Sequence, residues 1–240
     1  MTRLLLIVLA TASLNGCLAY EYEHEFWLNV DGSGRVYVTG QPWLWQAFKG
    51  VGTADDPEGT VTPGAVRALF EKSGLRVRRV TLTRRGGRPY VFISADFEDV
   101  SRLSRTAAFM DLDLHLTRDG ERLRLSGAWR RAASPAARQG AGGLMAVRFH
   151  LPSKVYAHDN ATDGVERGNI VSWRQEVAAG LRGERLAFGA TMDRRSILWS
   201  TVGLFGGAIG LALATLGAAL YVVLRKGRRS TSSSSPASRS

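Results

Sequence analysis

Apolar and polar residues alternate along much of the chain, as they do in β-strands that bury one face. Residues 20–30 show this pattern, with Glu21, Glu23 and Glu25 on one face and mainly aromatic and aliphatic residues on the other. Three hairpins are predicted, pairing residues 20–30 with 35–39, 75–83 with 90–97, and 111–117 with 122–126. Three later strands are predicted at residues 144–151, 169–176 and 185–192.

Two local signals refine this strand pattern. The apolar phase of residues 75–83 switches midway, which predicts a β-bulge at Arg78-Arg79. A helix is predicted after Thr62, a good N-cap residue, and it should end before Gly74. A shorter helix is predicted at residues 99–104.

The pattern favours an α+β fold, with a mostly antiparallel β domain at residues 17–196 and one or two helices. Residues 132–143 are rich in Ala and Gly, so they mark a possible break between subdomains. One C-terminal transmembrane helix is predicted at residues 197–224. Residues 225–240 are first basic and then rich in Ser, as in a disordered cytoplasmic tail.

The N-terminus resembles a secretory signal, with Arg3 before an apolar run at residues 4–10. Leu14-Asn15-Gly16-Cys17 then resembles the lipobox of bacterial lipoproteins, in which the cysteine becomes the lipidated first residue. This interpretation makes residues 1–16 a lipoprotein signal peptide. The alternative is a free cysteine near an ordinary cleavage site. Because Cys17 is the sole cysteine, an intramolecular disulfide is excluded.

The predicted transmembrane segment has no charged residue, and a basic cluster follows it: Arg225, Lys226, Arg228 and Arg229. By the positive-inside rule this cluster places the C-terminus in the cytoplasm. Small residues recur at helical spacing within the segment: Gly203, Gly206, Gly207 and Gly210. They could form a helix–helix packing face, although glycine is also simply common in such segments.

The formal net charge of +11 reflects these terminal basic residues more than the central domain. Within residues 18–196, 26 basic residues face 21 acidic ones, which leaves an excess of about +5. Such a mild excess is typical of a solvated surface with some attraction to anionic lipid headgroups. It gives no reason to expect nucleic acid as a partner.

Candidate metal ligands are few. Asp111, Asp113 and His115 would share one face of a strand, and oxygen and imidazole ligands in this arrangement could hold a divalent ion. A half-buried antiparallel strand presents such a polar face to water by default, and this interpretation is favoured. No cofactor and no catalytic residue is predicted.

Trp43, Trp45 and Phe48 concentrate three large aromatic rings between a predicted strand and a Gly/Asp-containing loop. They could contact the membrane or an apolar ligand. The alternative, which the usual burial of aromatic residues favours, is that they cap the core of the domain.

Several short motifs occur in a familiar order near the C-terminus of the domain. Leu151-Pro152-Ser153-Lys154-Val155, then Asn160, and then a strand ending in Val171-Ser172-Trp173 resemble the LppM-like family of bacterial membrane lipoproteins. The resemblance implies an α+β ectodomain tethered at the cell envelope. It implies no catalytic residues.

The sequence therefore predicts a non-enzymatic lipoprotein of the cytoplasmic (inner) membrane, lipid-anchored and single-pass, with its ectodomain outside the cytoplasm. The expected partners are membrane lipids, a glycolipid or another envelope protein, or a second copy through the transmembrane helix. The alternative is a metal-dependent envelope enzyme that uses the Asp111/Asp113/His115 face. Anchors at both ends of one domain also predict that residues 20–30 and 185–192 lie close together, in one sheet or at one edge of the domain.

Overall fold

The computed structural model describes residues 20–52, 61–130, 142–194 and 197–230. The chain divides into two compact units, Met1–Arg194 and Arg195–Ser240. The described residues of the first unit form two β-sheets and several short helices, and those of the second form one helix.

The larger sheet has seven strands in the order β3-β4-β2-β1-β7-β10-β9. Its strands are β1 (Tyr22–Leu28), β2 (Gly34–Gly40), β3 (Arg76–Arg85), β4 (Arg88–Phe97), β7 (Leu144–His150), β9 (Val165–Glu166) and β10 (Ile170–Glu176). All neighbours pair antiparallel except β1 and β7, which are parallel.

The smaller sheet has four antiparallel strands in the order β5-β6-β11-β8. These are β5 (Leu112–Asp119), β6 (Arg122–Trp129), β8 (Val155–Asp159) and β11 (Leu186–Asp193). The α-helices are α1 (Pro42–Lys49), α2 (Pro63–Lys72), α3 (Val177–Leu181) and α4 (Ile197–Ser230), and 3-10 turns cover Val100–Arg105 and Ala107–Phe109.

Aromatic side chains from the two sheets meet in a shared core. Phe26 stacks on Phe149 with ring centroids 4.8 Å apart, and Phe149 contacts Phe188 of the smaller sheet at 5.6 Å. Trp129 of the smaller sheet lies 5.6 Å from the Tyr22 ring. This burial of large aromatic area from both faces is the main force that holds the sandwich together.

Two ends of the sandwich are named here by the chain segments that lie there. At one end, which we call the entry end, β1 begins at Tyr22 and the β3–β4 hairpin turns through Gly86-Gly87. At the opposite end, which we call the turn end, lies the β1–β2 turn, where Leu116 of the smaller sheet packs against Gly32. The two ends are separated along β2 by about 20 Å, since a strand rises about 3.3 Å per residue.

The structure confirms the three predicted hairpins as β1–β2, β3–β4 and β5–β6. The register of β3 against β4 shifts between Val77 and Arg79, so the predicted bulge is also confirmed. The hydroxyl of Thr62 accepts a hydrogen bond from the Ala65 amide and caps α2 as predicted. Residues 131–141, which make up most of the predicted break between subdomains, lie outside the described part of the chain.

The predicted fold class is wrong because it included a transmembrane helix. Among the described residues, no helix is both long and apolar enough to cross a membrane. The fold is mostly β-sheet with a few helices.

The prediction that the first and last strands are neighbours in one sheet is also wrong. Strand β1 lies inside the larger sheet and β11 inside the smaller one, so they are neither sheet neighbours nor edge strands. Strand β11 runs toward the turn end, where the Arg194 amide donates to the Glu121 carbonyl. Strand β1 begins at the entry end. No local signal in the sequence shows that these two segments join different sheets.

Candidate functional site

A cavity of about 650 Å³ opens at the turn end of the larger sheet. Its walls come from β1 to β4, and its polar and aromatic side chains include Trp27, Arg35, Arg76, Arg78, Asp96 and Glu98. We call it the arginine pocket. The lining residues of this cavity therefore include three arginines and two aromatic residues, Trp27 and Phe97.

Asp96 organises the arginines. Its Oδ1 accepts from Arg35 Nε at 2.9 Å, and its Oδ2 accepts from Arg76 Nη2 at 2.9 Å and Arg78 Nε at 2.6 Å. The Asp96 side chain is only 15% exposed, whereas that of Arg76 is 77% exposed. One largely buried carboxylate thus gathers three guanidinium groups, of which that of Arg76 is the most exposed.

The bulge in β3 explains how two arginines of one strand reach the same carboxylate. Arg76 pairs in register with Asp96, and the inserted residue at the bulge is Arg78. A bulge leaves its extra residue outside the ladder and redirects the side chain. Arg78 therefore joins Arg76 on the pocket side.

The arginines also fix the charge of Asp96. Partial burial acts to raise the pKa of this carboxyl, but the hydrogen bonds from Arg35, Arg78 and Arg76 outweigh it and lower the pKa below its ordinary value. Asp96 is therefore ionised at neutral pH. With Glu98, the pocket holds three cations against two carboxylates, so its net charge is positive.

Trp27 supplies an aromatic surface beside the arginines. It is 48% exposed, although such large apolar side chains are usually buried. One face of its indole stacks on the His150 imidazole, with centroids 3.8 Å apart and planes 8° apart. The His150 Nε2 lies 2.7 Å from Glu25 Oε1, and this contact holds the imidazole in position under the indole. The stack thus holds the indole in place through one face, and about half of the Trp27 side chain stays exposed.

This arrangement can bind a ligand that carries negative charge and hydroxyl groups. Guanidinium groups bind phosphate or carboxylate through paired N–H donors. The carboxylates and the nearby Asn29 and Ser33 can exchange hydrogen bonds with hydroxyls. The exposed indole can pack against the less polar face of a ring.

A second group of polar side chains lies buried near the entry end of the core. Lys49 Nζ and Asp111 Oδ1 form an ion pair at 2.5 Å, with both side chains 1% exposed. Trp129 Nε1 donates to the other oxygen of Asp111 at 2.8 Å. His24 is fully buried nearby, and its imidazole nitrogens have no hydrogen-bond partner among the described residues.

Burial lowers the pKa of His24 well below its ordinary value, and the positive charge of Lys49 lowers it further. His24 is therefore neutral in the folded protein. The four side chains are closed off from solvent, so the cluster has the properties of a structural element of the core.

No family model and no curated protein matches this chain. Among solved structures, the chain is similar to the folded domain of LppM from Mycobacterium tuberculosis, determined by NMR. The two are 16% identical, the match covers 75% of this chain and 94% of that chain, and the TM-score is 0.40. The function proposed for this chain therefore depends on its own side chains.

The structure does not bring the predicted metal ligands together. Asp113 and His115 share the outer face of the smaller sheet, with His115 Nε2 2.8 Å from Asp113 Oδ1. Asp111 precedes β5, and its side chain turns into the core toward Lys49. Among the described residues, no group of three His, Cys, Asp or Glu side chains is arranged to hold a metal ion.

The predicted aromatic site lies on helix α1, which sequence reasoning did not identify. Trp45 and Phe48 are buried in the core, and Trp45 Nε1 donates to the Val91 carbonyl at 3.3 Å. Trp43 is partly buried and donates to Gln41 Oε1 at 2.9 Å. Trp45 and Phe48 therefore belong to the core, as the alternative to a membrane or ligand contact predicted.

The remaining predicted sites lie at the chain ends. Cys17 falls outside the described residues, as do the side chains of Arg225, Lys226, Arg228 and Arg229 within α4. Gly203, Gly206, Gly207 and Gly210 lie on α4, and a Cβ added at any of them would meet no described atom within 4 Å.

The motif residues that resemble the LppM-like family are joined in the structure. The Leu151 amide donates to the Asn169 carbonyl at 2.9 Å, and Asn169 Nδ2 donates back to the Leu151 carbonyl at 2.8 Å. Asn160 adopts a positive φ of 52°, which asparagine tolerates better than most residues. Trp173 is buried and donates to the Asp159 carbonyl. These residues hold the connection between the two sheets.

Proposed function

We propose that this protein is an envelope lipoprotein, anchored through Cys17, whose folded domain binds the anionic headgroup of a lipid or glycolipid in the arginine pocket. Binding involves no catalysed reaction. The lipobox-like segment at 14–17 supports the anchor. The site itself is supported by one observation, the cluster of three arginines around Asp96 beside an exposed, immobilised Trp27.

The chemistry of the pocket favours a headgroup with both a phosphate and a polyol ring. A phosphate needs several N–H donors, and Arg76 and Arg78 keep most of theirs free of Asp96. A polyol ring offers hydroxyls to the carboxylates and a less polar face to Trp27. Simple zwitterionic headgroups carry a cation that the net positive pocket repels.

The proposal can be tested with short-chain lipids that stay monomeric in water. Full-length protein in neutral detergent is titrated with dibutanoyl-phosphatidylinositol and with dibutanoyl-phosphatidylcholine by calorimetry. We expect saturable binding of the inositol lipid only. Because a hydrogen bond to a charged group contributes about 1.5–3 kcal/mol, Arg78→Ala should weaken the binding roughly tenfold or more.

Arg118→Ala serves as the control, since this arginine is exposed and does not line the pocket. It should leave the affinity unchanged. Equal affinity for both lipids, or an Arg78→Ala variant that binds as well as wild type, would contradict the proposal.

A further inference from the structure

The β3–β4 hairpin projects from the entry end as a basic tip. Gly86 and Gly87 form its two-residue turn, with φ of 54° and 78°, the positive pair that a type I′ turn requires. Arg84, Arg85 and Arg88 surround the turn, and all three are exposed. We call these five residues the hairpin tip. No acidic residue occurs between Arg76 and Pro89.

The tip reaches beyond the rest of the larger sheet. Gly40 at the end of β2 is in register with Val91, and Val91 with Leu82. Arg85 lies three residues past Leu82, so the tip extends about 10 Å further than the start of β1. Leu82 is 57% exposed, although it lies on the face of β3 that points toward the core elsewhere in the strand. An apolar side chain is therefore available beside the basic tip.

The start of the folded domain lies directly beside this tip. Arg88 Nη1 donates to Glu21 Oε1 at 2.9 Å, and Tyr90 Oη donates to Glu21 Oε2 at 2.8 Å. Cys17 is four residues before Glu21, and an extended chain spans at most about 14 Å over that distance. A lipid on Cys17 therefore keeps the bilayer surface within that distance of Glu21.

We infer that the hairpin tip docks on the surface of a bilayer that contains anionic lipids and orients the domain with its entry end toward the membrane. The inference rests on the lipid anchor of the proposed function. Glu21 and Glu23 are the acidic side chains near the tip, and Glu21 already pairs with Arg88. Arg84 and Arg85 thus provide an excess of positive charge that a layer of anionic headgroups complements.

This orientation has a consequence for the arginine pocket. Arg76 lies in the pocket and Arg85 at the tip of the same strand, nine residues apart, which corresponds to roughly 30 Å. Docking of the tip holds the pocket at that distance from the bilayer. The ligand of the pocket must then leave the bilayer or project from it by this distance.

The test uses full-length protein and an environment-sensitive nitrobenzoxadiazole dye on a single introduced cysteine. Thr83→Cys places the dye beside the tip, and Thr117→Cys places it at the matched position of the β5–β6 hairpin near the turn end. Both threonines are exposed and make only weak hydrogen bonds across their hairpins, at 3.5 Å and 3.4 Å. The natural Cys17 is blocked from the dye if it is lipidated.

The labelled proteins are reconstituted into phosphatidylcholine vesicles with and without about one-third phosphatidylglycerol. We expect a blue-shifted, brighter emission from position 83 only with the anionic lipid, and no change at position 117. Because each arginine near an anionic surface contributes about fivefold to binding, Arg84→Ser/Arg85→Ser should weaken vesicle binding of an unanchored Cys17→Ser protein roughly 25-fold. The charge-matched control Arg105→Ser/Arg118→Ser should have no such effect.

Three results would overturn the inference: a response at position 117 instead of 83, a response independent of the anionic lipid, or equal losses for the two double variants. Labelling of the wild-type protein with the same dye is read separately. If wild-type protein reacts, Cys17 is a free thiol and the anchor of the proposed function fails. If the wild-type protein does not react and the emission from position 83 does not change, the inferred docking of the hairpin tip is wrong, whereas the lipid anchor is retained.

Discussion

Removing the amine of Lys49 leaves the carboxylate of Asp111 buried without its cation. Both side chains are 1% exposed, and their charged atoms are 2.5 Å apart. Taking one partner from a buried ion pair typically costs about 3–5 kcal/mol, because the remaining charge keeps its desolvation penalty and loses its compensation. We therefore expect Lys49→Met to lower the free energy of unfolding by about that amount.

The double variant Lys49→Met/Asp111→Leu separates the buried charge from the packing. Exchange of a whole buried pair for apolar residues is often close to neutral. Here the Trp129 indole N–H also loses its acceptor, which costs about 1–3 kcal/mol for a buried donor. We expect the double variant to be destabilised by about that amount, less than the single variant.

Urea unfolding of the full-length protein, followed by tryptophan fluorescence, measures these differences. Lys72→Met is the control, since Lys72 is exposed on α2 and should change the free energy of unfolding by less than about 0.5 kcal/mol. A cost below about 1 kcal/mol for Lys49→Met, or a double variant less stable than the single one, would refute the reasoning from desolvation.

Three further predictions concern individual positions. His24 is neutral when folded but takes up a proton in the unfolded chain near its ordinary pKa of 6.5, so stability should fall as the pH drops below that value. His24→Phe should flatten this part of a stability–pH curve, and an unchanged slope would argue against a buried neutral imidazole. Gly127→Ala should lower the free energy of unfolding in urea by about 1–3 kcal/mol, because the new Cβ would lie 2.1 Å from the Asp113 carbonyl oxygen. No change in stability would show that the β5 backbone can shift away at little cost. Thr62→Ala should cost about 1 kcal/mol through loss of the α2 cap, whereas Thr62→Ser should cost little, and equal losses would indicate that the cap contributes nothing.

Local patterns predicted the hairpins, the bulge and the capped helix because each depends on residues close together in sequence. Alternation in residues 20–30 is visible without knowledge of the neighbours of β1. The parallel pairing of β1 with β7 joins segments more than a hundred residues apart, and no local signal specifies it. The division into two sheets was missed for the same reason.

The arginine pocket was missed because its residues come from four strands. The predicted bulge at Arg78 was the one available signal, since bulges often redirect side chains at functional sites. Period-two reasoning assigned Asp111 to the face of Asp113 and His115, but Asp111 lies just outside β5 and follows no strand phase. Its burial depends on Lys49, which lies 62 residues earlier in the chain.

The lipids that copurify with the protein test the central claim, headgroup binding in the arginine pocket, most directly. Wild-type protein, Arg76→Ala/Arg78→Ala and the control Arg105→Ala/Arg118→Ala are extracted in the same detergent, and their bound lipids are identified by mass spectrometry. The proposal predicts that wild type and control retain the same anionic lipid or glycolipid above its share in the membrane, and that the pocket variant loses it. An identical lipid profile for all three proteins would contradict the proposal.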